Sequence, residues 1–504
     1  MKIFSTEQIK AWDRYTIAHT PIGTIDLMER AAKAFINQLL HLYPQERFLV
    51  FCGSGNNGGD GLAIARLLRQ QNNQVEVWLL KDKSLSADAQ LNYDRLIATG
   101  CPIKTITVDK VIDESEWLRI NAQSFVLIDA LLGTGLNRNT EGPYAEFIHR
   151  INATQKKIVS VDIPSGLFSD QAAKEGQVII RATETITFQI PKRSFFYTTN
   201  HRYLGNWYVV NIDLCDTYEN QTTTSIHFTQ WKQIQDIYKP RSPFAHKGDF
   251  GKALLIAGSY GMMGAAVMAA KACLRSGVGL LKAYTPSCGL EILQTTVPEA
   301  MVLTDPSEKE FSTVPDISSY QAIGVGPGWH ESDQAHQFLK DIFNASNVPM
   351  VIDAGALNVL SKDSGLLKNI PKGSILTPHK KEFDRLAGEE LSQQQQEEKA
   401  IAWAKQYELQ FILKGKYSAV VLSDGTIHYN STGNAGMAKG GSGDCLTGIL
   451  LALLAQGYSS QQAAILGTFL HGCAGDHAAT IHSQEAMLPS DLIECIGAFF
   501  KKVV

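Results

Sequence analysis

The sequence has no excess of charge of one sign: 46 Lys and Arg stand against 50 Asp and Glu, a formal net charge of −4. That balance gives no electrostatic footprint for a polyanion, and no block of Lys and Arg is long enough to make one locally, so nucleic acid is excluded as a partner class. Paired cysteines are also missing. The eight cysteines, at positions 52, 101, 215, 273, 288, 445, 473 and 495, are scattered, which fits neither a disulfide framework nor a zinc site. They read as reduced, mostly buried thiols of a cytoplasmic protein. No hydrophobic run has the roughly 20 residues of a membrane span, and the run from Cys445 to about Gln456 reads as a buried core helix. A signal peptide is not expected either: Ser5 and Gln8 can form a capping box, and Ile9, Trp12 and Ile17 continue as an apolar stripe. The Walker A pattern is absent, which excludes a P-loop.

What is present is ample for two cores. At 504 residues, with 44% hydrophobic and 19% charged side chains, the chain exceeds the size at which one core stops growing, and its composition is globular. From Arg47, short apolar runs alternate with helical patterns: RFLVFCG, QVEVWLL, SFVLIDALLG and KIVSVDIPSG. A second series begins near Phe250 with GKALLIAGS and continues through GLLKAYTP, YQAIGVGPG, PMVIDAG, GSILTPH, LQFILKG and SAVVLSDG. Each series predicts an α/β domain built on a largely parallel sheet. The polar segment Asp216 to Ser225 separates them, with domains expected at 1–218 and 225–504. The two halves share no motif order, so a fusion of unlike domains is expected rather than a duplication. The run Gln393 to Gln396 is expected early on an exposed helix.

In the N-terminal half the sharpest signal is GSGNNGGDG, Gly53 to Gly61, between a strand ending at Cys52 and a helix expected to begin near Gly61. Glycines allow close backbone approach, and a helix N-terminus offers unpaired N–H groups to an anion. The two Asn and one Asp add side-chain ligands at the carboxyl end of a sheet, where open α/β folds bind ligands. A second loop, DALLGTGLNRNTEGPY, follows the strand ending at Asp129 and Ala130, and the next strand ends in Asp162, Ile163, Pro164, Ser165 and Gly166. Three polar strand ends are thus expected to converge on one crevice. Asp162 is the candidate acid/base; Lys192 in FQIPKRS is a candidate to assist it, with a surface lysine as the favoured reading.

In the C-terminal half the strongest motif is NAGMAKGGSGDCLTG, Asn434 to Gly448, followed at once by an apolar helix. A glycine turn opening a helix is suited to an anion, with backbone N–H groups of Gly441, Ser442 and Gly443 expected to face a transferring phosphoryl group. Asp444, in the first turn, can take a proton from a hydroxyl nucleophile. His471, Cys473, Asp476 and His477 have metal-ligand types at helical spacing, but on an otherwise apolar helix they read as packing and capping.

STEQIKAWDRYT, GSGNNGGDGL, DALLGTGLNR and VDIPSGL together make the N-terminal half resemble the YjeF N-terminal family of NAD(P)H-hydrate epimerases. GGSGD before a helix resembles the ribokinase-like superfamily. KGDFGKALLIAGS, GMMGAAVMAAKACLRSGVGLL, GVGPG, VIDAGALN, TPHKKEFDRLAG and LKGKYSAVV then narrow this half to a resemblance to ADP/ATP-dependent NAD(P)H-hydrate dehydratases. The implied architecture is a Rossmann-like three-layer α/β/α domain joined to a ribokinase-like α/β domain. The resemblance implies that Asn56, Asn57, Gly58, Gly59, Asp60, Gly133, Thr134, Gly135, Leu136, Asn137, Arg138, Asn139, Tyr144 and Asp162 hold the hydrated dinucleotide. It assigns K+ to Asn57, Asp129 and Ser165, a set of oxygen ligands. It places Lys414, Gly415, Lys416, Tyr417, Ser418 and Gly443 on the adenine nucleotide, and Ala265, Gly326, His379 and Asp444 on the hydrate.

The implied chemistry is repair of hydrated NADH and NADPH. Loss of the hydroxyl at ring carbon six gives an iminium that water re-attacks from either face, which epimerises the hydrate. In the other half, phosphorylation of that hydroxyl by ADP or ATP, with Mg2+ on the phosphates, allows elimination back to the dihydronicotinamide. Lys439, beside the phosphate turn, departs from the family pattern, as do Ala435, Trp329, Lys380 and Lys381. Two other readings stay open: a small-molecule kinase of the ribokinase superfamily fused to a dinucleotide-binding domain, and a non-catalytic dinucleotide sensor. The carboxylates Asp162 and Asp444 argue against the sensor. Small molecules are the expected partners, with neither nucleic acid nor membrane, and a homo-oligomer is compatible with the sequence.

Overall fold

The computed structural model describes residues 1–107 and 114–503. The chain forms two compact units, Lys2–Thr224 and Ser225–Val504, with Met1 belonging to the latter. The Asp216 to Ser225 segment, read as irregular in sequence, contains a short helix, Asp216–Gln221.

The first unit is built on a seven-stranded sheet. Its strands are β1 (Phe48–Cys52), β2 (Val75–Lys81), β3 (Ile103–Thr107), β4 (Val126–Ala130), β5 (Ile158–Val161), β6 (Glu184–Phe188) and β7 (Asn206–Val210). They run in the order β3-β2-β1-β4-β5-β6-β7, every pair parallel. The chain order reverses between β1 and β4, and a crevice opens there at the carboxyl ends of the strands. All five residues of β1 and of β4 are buried, the reason these strands read as continuous apolar runs. The helix Thr6–His19 is capped as expected, with the Ser5 side chain and Gln8 closing a capping box.

The helix after β1 starts at Asn56, not near Gly61, and runs to Gln70. Its glycines serve close packing inside the first turns: a Cβ on Gly58 would lie 1.8 Å from the Gly53 carbonyl oxygen, and one on Gly61 2.5 Å from the Ala130 Cβ. The glycine-rich stretch is therefore the helix start pressed onto two strand ends.

The second unit carries a ten-stranded sheet. Its strands are β8 (Ile226–Phe228), β9 (Lys252–Ile256), β10 (Leu280–Pro286), β11 (Met301–Asp305), β12 (Ala322–Val325), β13 (Met350–Ile352), β14 (Ile375–Leu376), β15 (Gln410–Leu413), β16 (Ala419–Val421) and β17 (Ile427–Tyr429). They lie in the order β11-β10-β9-β12-β13-β14-β15-β16-β17-β8. Pairing is parallel except for the antiparallel β15/β16 and β16/β17 pairs. The switch point lies between β9 and β12. The helix Ser442–Ala455 is buried continuously from Cys445 to Ala455. It packs so closely on the helix Met263–Arg275 that a Cβ on Gly448 would stand 2.1 Å from the Ala269 carbonyl oxygen.

The glutamine run opens the helix Gln393–Tyr407, but it is not wholly exposed. Gln396 is buried, and its amide donates to Asp384 Oδ1 at 2.7 Å and to the Lys380 carbonyl at 3.2 Å. Among the described residues no helix is long and apolar enough to cross a membrane.

Candidate active sites

In the first unit a cavity of about 570 Å³ opens where the loops after β1, β4 and β5 meet. Asn56, Asn57, Asp60, Gly133, Thr134, Gly135, Leu136, Arg138, Asn139, Tyr144 and Asp162 all line it. Gly58, Gly59 and Asn137 are not on its wall. Gly58 packs beneath Gly53, and a Cβ on Gly59 would meet the Met28 side chain at 2.9 Å. The Tyr144 hydroxyl donates to Asp82 Oδ1 at 3.1 Å, and burial together with Asp82 pushes its pKa up.

Asp162 follows β5 with φ of 66°, a left-handed conformation that a non-glycine residue adopts only at some cost. Its Oδ1 accepts from Thr187 Oγ1 at 3.0 Å, from the Phe188 N–H at 2.9 Å and from Lys192 Nζ at 2.6 Å. Lys192 is therefore not a surface lysine. It is 1% exposed, and its ammonium also meets Thr187 Oγ1 and the carbonyls of Phe188 and Ile190 at 3.1 to 3.4 Å. A lysine so placed is stable only with its charge paired and its donors satisfied, and Asp162 supplies the pairing.

Two further carboxyls line the same cavity, Asp13 and Asp60. Burial first, then the charge of Asp162, raises Asp13 to about 6, with Lys192 pulling the other way. Burial, followed by Asp162, Asp13 and Asp88, holds Asp60 well above the usual carboxylate range. Lys192, paired with Asp162, thus lowers the Asp13 carboxyl without cancelling the rise.

Beneath the cavity the three residues assigned to K+ cluster. Asp129 is fully buried and accepts from Ser160 Oγ at 2.8 Å, from the Ser165 N–H at 2.9 Å and from Ser165 Oγ at 2.5 Å. Asn57 Nδ2 donates to the Leu132 carbonyl at 3.1 Å, and Ser165 Oγ lies 3.1 Å from that same oxygen. Burial raises the Asp129 carboxyl against the bonds from Ser165 and Ser160. The carboxylate, hydroxyl and carbonyl oxygens gathered here are ligand types that a hard cation accepts.

In the second unit the site also stands on the carboxyl edge of the sheet. Gly326 follows β12 with φ of 113°, and a Cβ there would lie 1.9 Å from the Asp353 carbonyl oxygen. Ala265 lies alongside, with its Cβ 3.2 Å from where a Cβ on Gly328 would stand. Asp353 follows β13, His379 follows β14, and Lys414 follows β15. Lys414 Nζ bonds Asp353 Oδ1 at 2.8 Å and stands 3.7 Å from Glu382 Oε2. Thr447 Oγ1 donates to the other Asp353 oxygen at 3.0 Å.

Asp444 stands in the first turn of the helix Ser442–Ala455. Burial, then the Asp353 charge, raises it to about 7, while Lys414 draws it back. Burial works against the Lys414 ammonium, yet Asp353, Glu382 and Asp444 hold its pKa above the ordinary value. Burial likewise opposes the Asp353 charge, but Lys414 keeps that carboxyl below its usual range. The backbone of Gly443 lies against this pair, since a Cβ there would sit 3.3 Å from Asp353 Oδ2 and 3.5 Å from Lys414 Nζ.

Not every expected contact has the expected form. The Ser442 N–H turns back to the Lys439 carbonyl at 3.3 Å, so it is occupied within the turn itself. Lys439 directs its ammonium to the carbonyls of Glu485 and Met487 at 2.6 and 2.7 Å. The His379 ring caps the helix Lys380–Ala387, with Nδ1 accepting from the Glu382 N–H at 3.3 Å. Gly415, Lys416, Tyr417 and Ser418 continue from Lys414, and Ser418 Oγ closes the loop on Gly415. His471 Nε2 lies 2.9 Å from the Ser442 carbonyl, and burial lowers its pKa to about 4. Asp476 accepts from the Gly433 N–H and the Asn434 amide, which anchors the start of the glycine turn.

Sequence reasoning missed Asp13 and Asp353 and misjudged Lys192. A signal for Asp13 exists: it lies between Trp12 and Thr16, both fully buried, on the inward face of its helix. A carboxylate on an inward face demands a reason. Asp353 lay within the quoted VIDAG run, where the next residue, Ala354, has φ of 49°; nothing in the sequence reveals that conformation.

Comparison with known proteins covers both units. Residues 24–194 match the family described as YjeF-related protein N-terminus, and residues 253–497 match the family described as NAD(P)H-hydrate dehydratase. The bifunctional NAD(P)H-hydrate repair enzyme Nnr of Moorella thermoacetica is 32% identical over 98% of this chain and 96% of its own length. The enzyme of the same name from Escherichia coli is 33% identical over 98% of this chain and 93% of its own. A solved structure of the ADP/ATP-dependent NAD(P)H-hydrate dehydratase of Bacillus subtilis, co-crystallised with ATP/Mg2+, is 29% identical with a TM-score of 0.49, covering 56% of this chain and all of that one. With near-complete coverage in both directions by relatives above 30% identity, the chain belongs to the family of bifunctional NAD(P)H-hydrate repair enzymes.

Proposed function

We propose that the two sites divide one repair reaction between them, with the epimerase in residues 1–218 and the dehydratase in residues 225–504. The chain is an enzyme that epimerises the R and S hydrates of NADH and NADPH and dehydrates the S hydrate at the expense of a nucleotide. The observation that carries this reading is Asp444, raised to about 7 at the opening of a glycine turn, beside an ion pair that can face phosphate. A general base works best with a pKa near the operating pH.

In the dehydratase, Asp444 takes the proton of the ring hydroxyl as its oxygen attacks the terminal phosphoryl group. Ala265, Gly326 and His379 form the wall against the hydrate. The first-turn amides, Gly443 among them, and the Lys414 ammonium stabilise the equatorial oxygens, while Gly415, Lys416, Tyr417 and Ser418 border the nucleotide. Phosphate then leaves carbon six with the C–O bonding pair, a proton is lost from carbon five, and the C5–H pair becomes the ring double bond of the dihydronicotinamide. Mg2+ bound with ADP or ATP would supply charge neutralisation at the phosphates; among the described residues no group of three His, Cys, Asp or Glu is placed to hold it alone.

In the epimerase, the residues lining the cavity hold the hydrate, and Asp162, fixed by Lys192 on the cavity wall, supplies the counter-charge for the iminium. K+ would be held by Asn57, Asp129 and Ser165, where it offsets the buried Asp129 charge and sets the loop under the dinucleotide. Eight unpaired thiols support a cytoplasmic setting.

The test supplies S-hydrated NADH with ADP or ATP and magnesium. Recovery of the dihydronicotinamide absorbance with one inorganic phosphate released per turnover is expected. A product that keeps the phosphate would support the kinase reading instead.

A further inference from the structure

The epimerase needs a proton for the departing hydroxyl, and the residues that first suggest themselves are not free to give one. Lys192 has its ammonium enclosed by Asp162, Thr187 and two carbonyls. Asp162 has three donors on a single oxygen. Releasing the Lys192 proton would leave Asp162 without its ion-pair partner, and protonating Asp162 would oppose that pair.

Asp13 faces the same cavity from the helix Thr6–His19, and its carboxyl receives no hydrogen bond from any described residue. It is flanked by the buried Trp12 and Thr16, so the helix turns this carboxyl inward. Around it stand Asp60 on the helix Asn56–Gln70, Asp162 after β5, Lys192 after β6 and Lys10 on its own helix. The rim adds Asp82, Lys83, Arg138 and Glu141.

We propose that Asp13 is the general acid and base of the epimerase, giving its proton to the ring hydroxyl while Asp162 remains a fixed carboxylate opposite the developing cation. This rests on the epimerase reading of the first unit. In the forward step the Asp13 proton moves to the hydroxyl oxygen, the carbon–oxygen bond breaks, and water leaves. The ring-nitrogen lone pair forms the iminium. On return, water adds to the other face, the π pair goes back to nitrogen, and the surplus proton returns to the Asp13 carboxylate through cavity water. Asp162, held by three donors, and Asp13, which receives none, divide the roles in this way. The raised value of about 6 for Asp13 is consistent with a group that titrates during turnover.

The test follows conversion of R-hydrated NADH to the S form by chromatography, without nucleotide, using the full chain from about pH 5 to 8. Wild type, Asp13→Asn, Asp13→Glu and the exposed-face control Glu7→Gln are compared. For wild type, kcat/KM is expected to fall as pH rises through about 6, the acid form of Asp13 being the active one. Asp13→Asn is expected to lower kcat about 10²-fold or more and to remove that limb, and Asp13→Glu to restore part of both. Glu7→Gln is expected to leave the profile unchanged. An Asp13→Asn variant that keeps the limb, or that raises KM with kcat unchanged, would overturn the role of Asp13. If Asp13→Asn fails to fold, Asp13→Ser is read in its place, and a folded Asp13→Ser variant that keeps the limb and the rate would overturn the role in the same way. Wild type inactive at every pH would instead remove the epimerase reading itself.

Discussion

Both units solve an electrostatic problem in the same way, yet the two solutions differ in how local their sequence signal is. Each places a lysine-bound carboxylate on the carboxyl edge of a largely parallel sheet: Asp162 with Lys192 at 2.6 Å, and Asp353 with Lys414 at 2.8 Å. Each then sets a second carboxyl near that charge, in a buried place that raises its pKa: Asp13 to about 6 and Asp444 to about 7. The difference is where the second carboxyl comes from. Asp444 opens a helix behind a glycine turn, a local pattern, whereas Asp13 lies within a helix and meets its partners only through the tertiary fold. Burial is the first cause of both rises, and the ionised neighbour that adds to it is local in neither unit.

The largest expected effect removes the titrating group of the second unit. Asp444→Asn is expected to cut nucleotide-dependent recovery of NADH by about 10²- to 10⁴-fold and to leave R-to-S conversion untouched. A matching loss of epimerisation would break the separation of the two sites. Next comes the buried pair of the first unit. Lys192→Met leaves Asp162 uncompensated, and a loss of about 3–5 kcal/mol in the stability of that unit is expected by denaturant unfolding. An unchanged midpoint would mean that Asp162 is not held as a charge.

The coupling between paired and titrating carboxyls gives a subtler test. Because Asp444 acts as a base with a pKa raised to about 7, dehydratase kcat/KM is expected to fall as pH drops below that value. Asp353→Asn removes a charge that raises Asp444, so the limb is expected to move to lower pH. A limb that stays in place would show that Asp353 does not tune Asp444. The smallest effect is at Lys439, whose ammonium is engaged with two carbonyls. Lys439→Ala is expected to change nucleotide KM little and to lower stability by about 1 kcal/mol, read from the same unfolding curves.

Much of the scaffold was legible because it is local. Alternating apolar runs announced parallel strands, and the capping residues Ser5 and Gln8 marked the first helix where it forms. GGSGD placed Asp444 at a helix start. The start of the helix after β1 was misplaced because Gly58 and Gly61 looked like loop residues; their packing against Gly53 and Ala130 is visible only in three dimensions. Lys192 meets Asp162 across 30 positions and Lys414 meets Asp353 across 61, distances at which no spacing rule operates. Asp13 was within reach of sequence reasoning as a carboxylate on an inward helix face.

The most direct test of the whole account is the yield of NADH from an equal mixture of the R and S hydrates, incubated with the full chain, magnesium and ADP or ATP. Complete recovery is expected, because the first unit feeds the second with the epimer it uses. Recovery that stops at half would contradict the epimerase site, and no recovery with either nucleotide would contradict the account of Asp444.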